Sequence, residues 1–108
     1  MEKNKKKYQV RSRSLLDFID KSPTPFHAVK TLKDQLKKAE YVELSEYEEW
    51  KLSPGGQYFV VRNDSSLVAF SVGSEKPQDS GFKIIGAHTD SPNLRLKPNP
   101  TYVKNGYV

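Results

Sequence analysis

The chain has 108 residues, enough for one small domain, and only 35% of them are hydrophobic, so any core it forms alone is marginal. Its formal charge of +5 is local: residues 1–13 carry Lys3, Lys5, Lys6, Lys7, Arg11 and Arg13 against Glu2, which leaves twelve basic and twelve acidic residues elsewhere. That pattern argues against a nucleic-acid clamp, and the absence of cysteine excludes a disulfide framework and fits a cytoplasmic protein.

The basic leader has one aromatic residue, Tyr8, and not the repeated aromatic-basic interleaving of single-strand binders. It also lacks the apolar core of a secretory signal, and no stretch is long and apolar enough for a membrane helix. It reads as a solvated or oligomer-contacting arm over residues 1–13. Ser14 is placed to cap a first helix carrying Leu15, Leu16, Phe18 and Ile19 and ending near Ser22-Pro23. Thr24-Pro25 then offers a capping hydroxyl and a proline at the first helical position. Phe26, Val29, Leu32 and Leu36 form one apolar stripe opposite Lys30, Lys33, Lys37 and Lys38, which predicts a core-facing helix. His27, in its first turn, is expected to pack or bond locally rather than bind metal.

Strands follow. Tyr41-Val42-Glu43-Leu44 is short and alternating. Ser53-Pro54-Gly55-Gly56 has the composition of a turn with a glycine at positive φ, and no helix start follows it to suggest a phosphate cradle. Residues Gln57 to Arg62 and Ser66 to Val72 predict a hairpin through Asn63-Asp64-Ser65. Gly73 to Gly81 reads as a polar loop. Phe82 to Ala87 predicts a buried strand, and Thr101-Tyr102-Val103 with Gly106-Tyr107-Val108 carries β-favouring residues further. Two helices and then a run of strands, without repeats, predict part of an α/β sheet.

The densest chemistry lies in Gly86-Ala87-His88-Thr89-Asp90-Ser91-Pro92. At a strand end, residues two apart point to one side of the backbone. His88 can then hold a metal while the Asp90 carboxylate fixes its tautomer, a common arrangement around zinc. Taken alone, the triplet reads equally well as a surface histidine followed by a turn-forming Asp-Ser-Pro.

Five ordered blocks extend that motif: Ser22-Pro23-Thr24-Pro25-Phe26-His27-Ala28, residues 55–63, residues 66–70, residues 84–92, and Leu94-Arg95-Leu96-Lys97-Pro98. From about Leu15 onward the chain closely resembles the amino-terminal part of the aspartyl aminopeptidase family, cytosolic metallopeptidases with a two-zinc centre. The resemblance implies that His88 is a zinc ligand and Asp90 a catalytic residue supporting it. It implies peptide substrates, a preference for acidic amino-terminal residues, and a dimer-based dodecamer. The fold expected is α/β: two N-terminal helices followed by a mixed β-sheet, an incomplete piece of a two-zinc aminopeptidase catalytic domain occupying residues 14–108.

One histidine and one carboxylate do not complete such a centre, because catalytic zinc takes three protein ligands plus water. The bridging carboxylate, general base and other ligands of the family lie downstream of this block. The chain therefore reads as an amino-terminal fragment, inactive alone. The alternative is a short paralogue or interaction module that keeps the scaffold without the metal centre. Continuation of the reading frame beyond Val108 into further Asp, Glu and His ligands separates the two.

Overall fold

The computed structural model describes residues 2–107. Helix α1 spans Glu2–Asp20, α2 spans Pro25–Lys38, β1 Val42–Leu44, β2 Gln57–Arg62, β3 Ser66–Ser71, and a one-turn α3 Pro77–Ser80. The sheet order is β1-β2-β3, with β1 parallel and β3 antiparallel to β2. Two amino-terminal helices followed by a mixed sheet are what the sequence predicts.

Helix α1 begins twelve residues earlier than expected from a Ser14 cap, so the basic leader is helical. No glycine or proline stands between Glu2 and Asp20, and Lys, Gln, Arg and Leu are good helix formers. Ser14 therefore lies inside the helix. Helix α2 starts as predicted: the Thr24 hydroxyl accepts from the His27 amide, and Pro25 is the first helical residue. It ends in a Schellman motif, with the Glu40 amide donating to Lys37 O and the Tyr41 amide to Leu36 O. Glu40 takes the left-handed φ of 64° that glycine usually supplies there.

The core is small. Ala28 and Val29 of α2 and Tyr58, Phe59 and Val60 of β2 are the buried apolar residues, and Phe59 is fully enclosed. Of the predicted α2 stripe, Val29 is buried and Leu32 and Leu36 are half-buried, whereas Phe26 lies exposed at the first turn. Glu43 pairs in register with Phe59 and receives both Lys33 and Lys37 (the latter at 2.9 Å), which places α2 over the face of the sheet that carries Phe59. On the other face Tyr58 and Val60 are in register with Phe70 and Val68. Tyr58 meets Phe70 at 5.7 Å between centroids, and Trp50 stacks on Phe70 at 6.1 Å.

The crossover from β1 to β2 contains no helix and is held by single side chains. Trp50 Nε1 donates to Ser45 O at 2.7 Å, and the Ser53 amide donates to the Tyr58 hydroxyl at 3.0 Å. Its last four residues form the predicted turn: Gly56 N donates to Ser53 O at 2.9 Å, with Gly55 at φ 77°. Pro at the second position and a positive-φ Gly at the third define a type II turn. The β2–β3 hairpin turns at Asn63 and Asp64, both left-handed at φ 51° and 53°.

Beyond Gly81 the expected strands are absent. Among the described residues, 82–87 have no ladder partner, and Ile84 and Ile85 are almost wholly exposed. A strand exists through hydrogen bonds to a neighbour, and apolar β-favouring residues do not supply them. The tail instead makes one tight reversal, where Lys104 and Tyr107 exchange bonds of 2.9 and 3.0 Å around left-handed Asn105 and Gly106. Asn-Gly is the strongest two-residue hairpin signal, and here it separates the two β-favouring runs. The radius of gyration is 20.2 Å, against about 13 Å for a compact chain of this length. The accessible surface of 10453 Å² likewise exceeds the roughly 6,100 Å² typical of this mass.

Two outcomes follow from this packing. In hydrogen exchange on the isolated chain, amides of β2 and α2 should be protected longest, while those of residues 82–103 should exchange near the unprotected rate. Equal protection across both regions would contradict the unpaired tail. The second concerns Glu43, whose carboxyl is held below the usual carboxylate range by hydrogen bonding to Lys33 and then Lys37, against an opposing effect of partial burial. Its folded pKa is the lower one, so the stabilisation is complete above the unfolded value near 4.3 and lost as pH falls through the folded value. Glu43→Gln should cost about 0.5–1 kcal/mol at neutral pH. In thermal unfolding, the difference from wild type should disappear toward pH 3.

Candidate functional site

The sequence motif sits on the extended segment that leaves α3. Gly86 and Ala87 precede His88, and the backbone bends at Thr89. His88 and Asp90 stand out into solvent, while Thr89 between them is half-buried and turns the other way. With the chain bending at Thr89, its two neighbours share one side and Thr89 takes the other.

The two predicted residues are in contact. His88 Nδ1 lies 2.7 Å from the backbone carbonyl of Asp90 and 3.3 Å from its Oδ1. Both partners of Nδ1 accept and neither donates, so in the neutral imidazole Nδ1 carries the proton. Nε2 then keeps its lone pair, facing away from Asp90. That is the state in which histidine binds a metal, with the far nitrogen held by an acceptor. The sequence reading assigned the orienting contact to the Asp90 carboxylate; in the structure the shorter contact is to its main chain.

No group of three or more His, Cys, Asp or Glu side chains suited to a metal occurs among the described residues. The donor set here thus fits one ligand of a zinc site and not a whole site. His27 is engaged elsewhere: its Nδ1 lies 2.8 Å from the Thr24 hydroxyl, the local bonding expected for it.

Thr89 carries a contact that the motif alone does not reveal. Its Oγ1 donates to Ser65 O at 2.9 Å, joining the loop to the β2–β3 turn. The one sequence signal for it is position, since the residue between two outward-facing side chains must face inward. The turn itself is braced from behind, because Arg62 Nε donates to both carboxylate oxygens of Glu46, at 2.9 and 3.2 Å. Arg62 in turn holds the Glu46 carboxyl below the usual range, and Glu46 raises the guanidinium.

Around this loop the surface is apolar to an unusual degree. Phe82, Ile84, Ile85, Leu94 and Leu96 are all largely exposed, Ile85 and Leu94 completely. So many large exposed apolar side chains on both sides of one loop mark a place built to be covered.

Residues 18–108 match the family described as Aminopeptidase I zinc metalloprotease (M18). A probable M18 family aminopeptidase 2 of Clostridium novyi is 54% identical over 98 residues, which is 91% of this chain and 22% of that protein. Among solved structures, a chain of the cryo-EM structure of the Ape4 and Nbr1 complex is 48% identical. It aligns with a TM-score of 0.75 over 86% of this chain and 18% of its own. The mApe1 dodecamer of S. cerevisiae is 34% identical and aligns with a TM-score of 0.56, over 62% of this chain and 16% of its own. The chain spans 22–23% of the length of the curated relatives it matches. With α2, the mixed sheet and the His88 loop inside residues 18–108, the chain belongs to the M18 aminopeptidase family and corresponds to its amino-terminal part.

Proposed function

We propose that this chain is the amino-terminal portion of a zinc-dependent aminopeptidase, contributes a single zinc ligand, His88, and is inactive alone. The observation that carries this reading is the His88–Asp90 contact. Nδ1 is engaged 2.7 Å from Asp90 O, so the Nε2 lone pair is free. Asp90 is the catalytic residue beside it, orienting the imidazole through its main chain and adding a carboxylate charge 3.3 Å from Nδ1. That charge stabilises the protonated ring nitrogen and makes Nε2 a stronger donor.

A zinc bound there would polarise a scissile carbonyl and lower the pKa of a coordinated water. The described residues supply one ligand of the three such a site takes, so the others come from the remainder of the parent protein. A two-zinc centre, removal of an acidic amino-terminal residue from peptides and a cytoplasmic location follow from the resemblance to the aspartyl aminopeptidases. No described helix is long and apolar enough to cross a membrane, and the chain has no cysteine. Assembly into a homo-oligomer is supported by the dodecameric relative. Residues 1–13 lie outside the family match and form a basic arm that the catalytic portion, 14–108, does not need.

In the full-length protein, His88→Ala should remove one zinc and reduce peptidase activity to near background. Asp90→Asn should retain most of the metal and lose roughly 10–100-fold in rate. Metal analysis beside kinetics on an acidic aminoacyl substrate reads both. An unchanged rate in Asp90→Asn would sink the role given to Asp90.

The isolated 108 residues should bind zinc weakly or not at all, because structural-strength sites use four ligands. Calorimetric titration at neutral pH checks this. A stoichiometric, tight isotherm abolished by His88→Ala would mean that the chain completes a site by itself.

A further inference from the structure

We propose that Thr89 is a positioning residue whose hydroxyl, donated to Ser65 O, pins the loop between His88 and Asp90 to the β2–β3 turn and sets the direction in which His88 meets its metal. This rests on the reading of His88 as a zinc ligand.

Among the described residues, the Thr89–Ser65 bond is the only hydrogen bond or ion pair from residues 82–107 to the rest of the chain. Everything else that the tail makes is local: His88 to Asp90, and Lys104 to Tyr107. The site loop therefore has one tether to the packed sheet, and it falls between the two functional residues. A metal ligand needs its donor atom placed within a fraction of an ångström. A loop free to slide along its own axis would not meet that requirement.

The acceptor is well suited to the task. Ser65 follows two left-handed residues, Asn63 and Asp64, and its amide donates back to Arg62 O at 3.2 Å. Ser66 Oγ donates to the same carbonyl at 3.2 Å. Arg62, paired across the ladder with Ser66, is clamped by Glu46 from the β1–β2 crossover. The direction of the Ser65 carbonyl is thus set by the sheet. Thr89 adds stiffness of its own, since a β-branched side chain has few χ1 choices. A tether from rigid turn to stiff side chain transmits the position of the sheet to the His88 ring one residue away.

The experiment uses the full-length zinc-loaded protein and three variants. Thr89→Val keeps the shape and removes the hydroxyl; Thr89→Ser keeps the hydroxyl; His88→Ala tests the underlying reading. Thr89→Val should lower kcat and zinc affinity by roughly tenfold, in the range of substitutions beside metal ligands, with KM little changed. Thr89→Ser should recover most of both. Cobalt(II) substituted for zinc gives a second readout, because a displaced ligand changes the visible absorption of the metal. That band should differ in Thr89→Val and match wild type in Thr89→Ser. If Thr89→Val does not fold, Thr89→Ala takes its place, with the same expectation. Wild-type kcat, zinc affinity and cobalt spectrum in the hydroxyl-free variant, while His88→Ala loses its metal, would overturn the positioning role alone. Equal impairment of Thr89→Val and Thr89→Ser would overturn it too. Retention of the full zinc complement by His88→Ala would instead overturn the ligand assignment on which it rests.

Discussion

Backbone hydrogen bonding decides what is buried in this chain. β2 is the one strand with neighbours on both sides, parallel β1 and antiparallel β3. Its amides and carbonyls are engaged along both edges, and it supplies three of the five buried apolar residues among those described. β1 and β3 each have one open edge, and none of their residues is buried. Residues 82–87 have no neighbour at all among those described, and side chains of equal hydrophobicity there stand in solvent. Phe59 is fully enclosed and Ile85 fully exposed. Intrinsic preference is similar for both positions; pairing separates them.

That contrast also marks where the sequence is legible. Local rules held where the chain itself supplies every partner. Thr24-Pro25 starts α2, Ser53-Pro54-Gly55-Gly56 makes the turn, and Asn63-Asp64-Ser65 reverses the hairpin. Each depends on atoms within a few residues. The strand through Phe82–Ala87 depends on a distant neighbour, and no local pattern can supply one. The extension of α1 back to Glu2 is a failure of a different kind. Ser14 satisfies the rule for a cap, but a cap is used only where the preceding residues leave the helix, and nothing between Glu2 and Ser14 breaks it. The four lysines near its start oppose the helix dipole without preventing the helix. The Asn105-Gly106 reversal is again local: a two-residue turn signal stands between two runs of β-favouring residues.

The candidate site divides in the same way. A spacing of two allows His88 and Asp90 to meet, and the bend at Thr89 brings them together. The atom that Asp90 uses was not legible, because the carbonyl and the carboxylate of one residue both lie within reach of Nδ1, and the backbone bend at Thr89 chooses between them. Nor was the partner of Thr89, whose acceptor lies 24 residues earlier in the sequence. Ser65 becomes its neighbour only once the β2–β3 hairpin has formed. The missing ligands of the zinc site are a matter of content rather than of reading.

With His88 as the proposed zinc ligand, folding and metal binding are coupled. His88 sits at the end of a segment with one tether to the sheet and an apolar flank left uncovered. Covering that flank and pairing residues 82–87 would immobilise the loop before any metal arrives, so the ordering cost would fall on folding and not on zinc binding. A preorganised ligand binds more tightly for the same contacts, because less freedom is lost at the binding step. On this reading the Thr89–Ser65 bond and the exposed Ile84, Ile85, Leu94 and Leu96 belong to one device. The first ties the loop to the β2–β3 turn, and the second would drive a pairing that holds it there. Loss of either leaves His88 chemically able to bind zinc and geometrically unable to share it with the rest of a centre.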